Sequence, residues 1–415
     1  MTLLRSTQRG PAALTGGLLV ALTLAGTQTS ATAQGCVAVR GSSMCMLPHD
    51  HSSSPNDANL MAGNWLASVS ERYLHSHRHF VGDAEQKQRQ VTQANEVINH
   101  SHFIDLGVQY AISPRYSAAF TLPLVFSDRS QKAPAGYPSY RYETHASGLA
   151  DARLTGYAWL WDPTTMPKGN IQVGLGLKVP SGQSDVKDVF PTVIGGVITP
   201  VVKDVDQSIQ PGDGGWGFSL EFNAYREIAP RTEAFLQASY LFNPQGQNGT
   251  LTWRDNNTTT PGVVSIANNV PNGINGPADY AKAPGFYEHF TSIPDQYFAR
   301  GGFNFTLVPK WGLSISLAAR LEGVPVEDIL GGSEGFRRPG FAASIDPGIQ
   351  WMKGRYTFNL NVPFAFYRNR EQSLADQQAQ AYRRANVSAG QTNNDVHGDA
   401  AFADYVVTAS FSVRF

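Results

Sequence analysis

The stretch Ile104-Asp-Leu-Gly-Val-Gln-Tyr-Ala-Ile-Ser-Pro-Arg-Tyr-Ser-Ala-Ala-Phe-Thr-Leu-Pro-Leu-Val-Phe126 decides the fold. Ile104, Leu106, Val108, Tyr110 and Ile112 alternate with Asp105, Gly107, Gln109 and Ala111. After the short polar turn Ser113-Pro114-Arg115, Tyr116, Ala118, Phe120, Leu122, Leu124 and Phe126 alternate again with Ser117, Ala119, Thr121 and Pro123. Period-two patterning gives a strand one apolar and one mixed face. A strand of about nine to eleven tilted residues crosses a bilayer core, and both arms have that length. A soluble sandwich gives one such hairpin, but not a series of them.

Working outward, the pattern recurs in Ile171–Val179, Leu313–Glu322 and Tyr356–Phe366. It predicts strands over approximately 64–74, 97–112, 115–127, 148–161, 170–180, 215–227, 231–242, 296–308, 311–322, 340–352, 355–368 and 402–415. Connections after the even-numbered strands are short. Those after the odd-numbered strands are long: 75–96, 128–147, 181–214, 243–295, 323–339 and 369–401. Short–long alternation with an even count is the signature of an all-β, transmembrane, antiparallel up-and-down β-barrel of about twelve strands. Its short turns are periplasmic and its long loops extracellular, which places it in a bacterial outer membrane. The final strand alternates to the last residue, Phe415, where an aromatic end resembles the signal read by barrel-assembly machinery. Tyr110, Tyr116, Trp311, Trp351, Tyr356 and Phe415 fall at expected periplasmic strand ends. Tyr240, Phe242, Phe366 and Tyr405 fall at outer ones, as interfacial girdles should.

Composition agrees. Charged residues are 16% of 415 and aromatics 11%. A net charge of -1 is too neutral for a nucleic-acid partner. Residues 1–33 read as a secretory signal peptide: Arg5 and Arg9, an apolar centre around Leu18–Leu24, then Ala31-Thr32-Ala33 before a cleavage site at Gln34. Residues 34–62 form a periplasmic extension or a small plug, and 63–415 the barrel. Export to an oxidising compartment suggests a local disulfide between Cys36 and Cys45, with lipid attachment at Cys36 the rival reading.

Alternation also sorts the charges. Asp105, Asp151, Arg153, Lys178, Glu221, Glu233, Arg300, Arg320, Glu322 and Asp346 have lumen parity. They are candidates to line a pore, or to pair and stiffen its wall. Twelve strands tilted by about 40° give a backbone radius of about 12 Å, so any open path is narrow. No bound metal or other cofactor is expected, although His75, His77, His79, His100 and His102 gather at the outer rim. His145-Ala146-Ser147 has a base-and-nucleophile spacing without an evident orienting partner, so the chain reads as a non-enzyme.

Three short motifs follow one another in the middle of the chain: Ser147-Gly-Leu-Ala-Asp-Ala-Arg-Leu154, Lys178-Val-Pro-Ser-Gly182, and Gln210-Pro-Gly-Asp-Gly-Gly-Trp-Gly217. In this order they resemble the MetA-type outer-membrane family of transporters of the meta-cleavage phenol-degradation pathway. The resemblance covers about a third of the chain, and Ala150 departs from it where Gly is usual. It implies uptake of small organic solutes, aromatics among them. The resulting expectation is passive passage of small organic solutes, in contact with outer-membrane lipid. The alternative is a closed structural or adhesive barrel that binds a partner through its long loops, of which 243–295 is the longest.

Overall fold

The structure is a computed structural model, and it describes residues 62–132, 140–252, 290–386 and 397–415. The expected signal peptide, Cys36 and Cys45, and most of loop 243–295 lie outside the described residues. Twelve strands form one antiparallel meander. They are β1 (Trp65–Val81), β2 (Ile98–Ala111), β3 (Tyr116–Lys132), β4 (Arg141–Leu149 and Ala152–Trp159), β5 (Gly169–Val179) and β6 (Gly217–Ala229). They continue with β7 (Thr232–Phe242), β8 (Gln296–Val308), β9 (Leu313–Val324), β10 (Gly340–Lys353), β11 (Tyr356–Asn361 and Phe364–Arg370) and β12 (Ala400–Arg414).

The sheet closes on itself, β12 pairing with β1 from Leu66↔Arg414 to Phe80↔Ala400. Beyond that ladder the Phe415 N–H donates to the Trp65 carbonyl at 2.8 Å, so the terminal residue seals the seam. Closure leaves no unpaired edge, which a strand structure in lipid requires. The two broken strands have a common cause. Pro123 in β3 and Pro347 in β10 have no N–H to donate. Opposite them the chain steps out of register, at Ala150–Asp151 in β4 and Val362–Pro363 in β11, and the freed prolyl carbonyls accept from the Ala150 and Val362 amides.

Each strand turns an exposed apolar side chain outward: Val69, Leu106, Phe120, Leu154, Leu175, Leu220, Leu236, Phe303, Leu317, Ile345, Phe358 and Phe411, in strand order. A continuous apolar band of this kind is favourable only against hydrocarbon, so this is an outer-membrane-type barrel. Among the described residues no helix is long and apolar enough to cross a membrane.

Three local departures from expectation have physical reasons. β1 runs to Val81, seven residues past its expected end at 74, with two register shifts against β12 around Ser76. Loop 181–214 carries a hairpin, Lys187–Ile194 paired with Val197–Asp204, whose turn is Gly195-Gly196 with both φ positive. Loop 369–401 carries a helix, Leu374–Asn386, opened by reciprocal hydrogen bonds between Ser373 and Asp376. That is a capping box in Ser-x-x-Asp form, a signal present in the sequence and missed there.

Candidate functional site

The inner wall is a polar core. Asp105, Asp151, Arg153, Lys178, Glu233, Arg300, Arg320, Glu322 and Asp346 are all buried, and Glu221 is half-buried. Several are already paired. Arg300 Nε donates to Asp346 at 2.7 Å, and its guanidinium lies 4.9 Å from the Phe235 ring centre. Arg320 donates twice to Glu322, at 3.1 and 2.8 Å, and stacks over Phe298. The Tyr157 hydroxyl donates to Glu221 at 2.7 Å. Arg72 faces Asp105 at 3.6 Å and lies over Phe103. Arg72 is not among the charges that parity singled out, and Leu66 and Leu74 share its parity. The outward Trp65 and Val69 were the signal that this parity faces inward.

The three family-like motifs converge on one junction inside the barrel, at the break in β4. The Asp151 carboxylate accepts from the Gly182 amide at 3.1 Å and the Asp213 amide at 2.9 Å. Ser181 Oγ bridges the same strand, accepting from Ala152 N and donating to Ala150 O, both at 2.9 Å. Lys178 Nζ donates to Asp213 at 2.6 Å. Gly182 and Gly212 press backbone to backbone: a Cβ on Gly212 would stand 2.7 Å from the Gly182 carbonyl carbon, and one on Gly182 only 2.8 Å from Ala150. The segment from Asp206 to Gly217 is thereby held against the inner wall. The Gln210 side chain fixes it further through Val186 N, Val186 O and Val205 O.

A cavity of about 20 Å³ remains between this segment and the wall, lined by Arg72, Phe103, Pro123, Val125, Ala150, Asp151, Arg153, Lys178, Pro211, Asp213 and, from the far side, Gln296 of β8. That is room for about one water molecule. Its walls are divided. Phe103, Val125 and Ala150 belong to an apolar cluster with Leu74 and Val406, while Arg72, Asp151, Arg153, Lys178 and Asp213 are charged.

Above the junction, the outer loops are clasped by charge. The Asp206 side chain, only 6% exposed, lies between Arg338, at 2.6 Å, and Arg129, at 3.3 Å. Gln207 donates to Ser292 O, and Arg337 binds Asp328 at 2.7 Å. Burial opposes ionisation of Asp206, but Arg129 and Arg338 outweigh it and hold its carboxyl well below the usual range. A depressed native pKa contributes stability that is present above the unfolded value of about 3.9 and lost only as pH falls through the native one. The clasp should therefore persist through pH 4. Asp206→Asn keeps the shape and removes the charge. Amide hydrogen exchange at residues 207–213 should quicken in that variant at neutral pH, and unchanged protection would show that the clasp does not hold the segment.

The histidines do not share a face. The bulges around Ser76 put His79 inside, where Nδ1 meets Asp399 at 2.8 Å and Nε2 accepts from Val97 N. His75, His77, His100 and His102 stand on the outer surface. His145 faces outward as well, with Nδ1 at 3.4 Å from Asp188 and Nε2 at 3.9 Å from Glu143.

No family model matches the sequence, and no curated protein matches it. Solved structures with a similar course include an outer membrane channel from Pseudomonas putida F1, at 10% identity and TM-score 0.48, covering 88% of this chain and 99% of that one. The P. putida toluene transporter TodX, at 9% identity and TM-score 0.38, covers 85% and 89%. The translocator domain of the autotransporter NalP from Neisseria meningitidis, at 10% identity and TM-score 0.35, covers 88% and 91%.

Proposed function

We propose that this barrel is a bacterial outer-membrane channel for passive passage of small organic solutes, with the segment Asp206–Gly217 as its closure. The observation that carries the reading is the divided cavity. Phe103, Val125 and Ala150 offer an apolar wall, while Arg72, Asp151, Lys178 and Asp213 offer fixed charge opposite it, under a segment held by hydrogen bonds and ion pairs. Such a segment can leave without breaking a covalent bond, and a half-apolar, half-charged wall suits a small amphiphilic molecule. The motif resemblance points to the same solute class and to aromatics within it. Inner charges such as Arg300, Arg320 and Asp346 would set the ionic preference of the opened path. Delivery by residues 1–33 and recognition of Phe415 by the assembly machinery complete the reading. No catalysis or energy coupling is part of it.

One observation favours a second reading. The lumen at the junction has room for about one water, as a closed barrel that binds through its outer loops would have. Permeation separates the two. Liposomes carrying the refolded protein should admit small aromatics and small ions faster than protein-free liposomes. Arg320→Glu should shift the preference toward cations. Folded protein that admits no solute would move the assignment to loop binding.

A further inference from the structure

We infer that the outer wall carries a transition-metal site built from His75, His77 and His100. His75 and His77 are two apart on β1, so their side chains leave the same face. His100 is the direct cross-strand partner of His75 in β2. Two positions on one strand and a third directly opposite place three imidazoles within reach of one ion, because directly opposed Cβ atoms lie about 4.5–5.5 Å apart. The rings already touch: the centre of His75 lies 4.6 Å from that of His77 and 4.7 Å from that of His100. Three imidazoles around a tetrahedral ion, bound at about 2.0–2.1 Å, have ring centres about 5 Å apart. As they stand the rings form a stack, and no three groups converge on one point among the described residues. Closing the stack into a triangle needs the side chains to rotate, with His75 and His100 held opposite each other by the ladder and His77 just beyond its last pair, Ser76↔Asn99.

A second observation points to a ligand set. Asp128 on β3 meets His100 Nδ1 at 3.0 Å, which fixes that ring and leaves Nε2 as the donor. A carboxylate behind a metal-bound histidine serves this purpose in metal sites generally. Asp404 stands 4.0 Å from His77 at the other end of the row. His102 is engaged separately by Glu71 at 2.8 Å, and His79 is inside the barrel, so neither belongs to the set. Three neutral nitrogens select a borderline divalent ion such as Zn²⁺, Ni²⁺ or Cu²⁺ over Mg²⁺ and Ca²⁺, which prefer oxygen. A fourth position would face water or lipid headgroups. An ion there would staple β1 to β2 next to the β12–β1 seam.

Co²⁺ titration of full-length, tag-free barrel in detergent tests the site, with Zn²⁺ as competitor. One equivalent of Co²⁺ should bind with the visible absorption of nitrogen coordination, be displaced by Zn²⁺ and raise the unfolding temperature. His75→Ala and His100→Ala should abolish that spectrum, and Asp128→Asn should weaken binding about tenfold. His397→Ala, whose imidazole meets the Arg370 carbonyl away from this row, should leave it unchanged. His75→Gln replaces His75→Ala if the latter fails to fold. Absence of saturable binding, or a spectrum that survives in folded His75 and His100 variants, would overturn the assignment.

Discussion

Gly212→Val should open the barrel: liposomes carrying it should admit small solutes about 5- to 150-fold faster than those carrying the parent protein. The magnitude follows from the contact. A Cβ at this position would sit 2.7 Å from a backbone carbon and 2.8 Å from a backbone oxygen of Gly182, and those atoms cannot swing aside as a side-chain tip can. Gly182 is itself held against Ala150, so neither strand end can yield. Overpacking of this kind costs about 1–3 kcal/mol, and each 1.4 kcal/mol shifts an equilibrium about tenfold. The cheapest relief is to move the Asp206–Gly217 segment off the wall, since it is tied by polar contacts while the strands belong to the ladder. Gly156→Ala, where a new Cβ would meet nothing within 4 Å, should permeate like the parent. If folded Gly212→Val is no faster, the segment is not what closes the path.

The barrel was legible in the sequence because its determinants are local and repeated. Each crossing strand carries its own alternation, and closure demands that every strand carry it, so an error at one strand is corrected by its neighbours. The inward charges were legible for the same reason: parity alone places Arg300, Asp346 and Arg320. Parity fails where register slips. The bulges near Ser76 move His79 from the face of His75 to the opposite one, and no residue type in that run announces them. The junction was half legible. The motifs around Asp151, Gly182 and Gly212 stood out as short, glycine-rich and ordered, but their meaning lies in contacts made across 31 and 62 residues of chain. The Asp206 clasp was not legible at all. Its partners are Arg129, on the part of β3 beyond the expected strand end, and Arg338, in a segment read as plain loop, and an ion pair made outside the expected strands leaves no periodic trace.

Asp346→Ala should cost the folded barrel about 3–5 kcal/mol, the loss expected when one member of a buried pair is removed and the other stays charged. Asp346 is fully buried and Arg300 is 4% exposed, so water has little access to the guanidinium left behind. Gln237 at 3.4 Å, Ser316 at 3.5 Å and the face of Phe235 also meet the guanidinium, and none of these three carries a negative charge. Asn361, which now donates to Asp346 at 3.3 Å, loses an acceptor as well. Urea unfolding of the refolded protein in micelles, followed by tryptophan fluorescence, measures the loss. The pair variant Arg300→Met with Asp346→Leu should recover most of it, because an apolar replacement of similar volume removes the stranded charge. The comparison also bears on function. A wall that is dry in the resting barrel makes the single variant fragile and the pair variant robust. A wall bathed by a standing column of water makes Asp346→Ala nearly neutral, since water would then hydrate Arg300, and the resting barrel would already be open at that level.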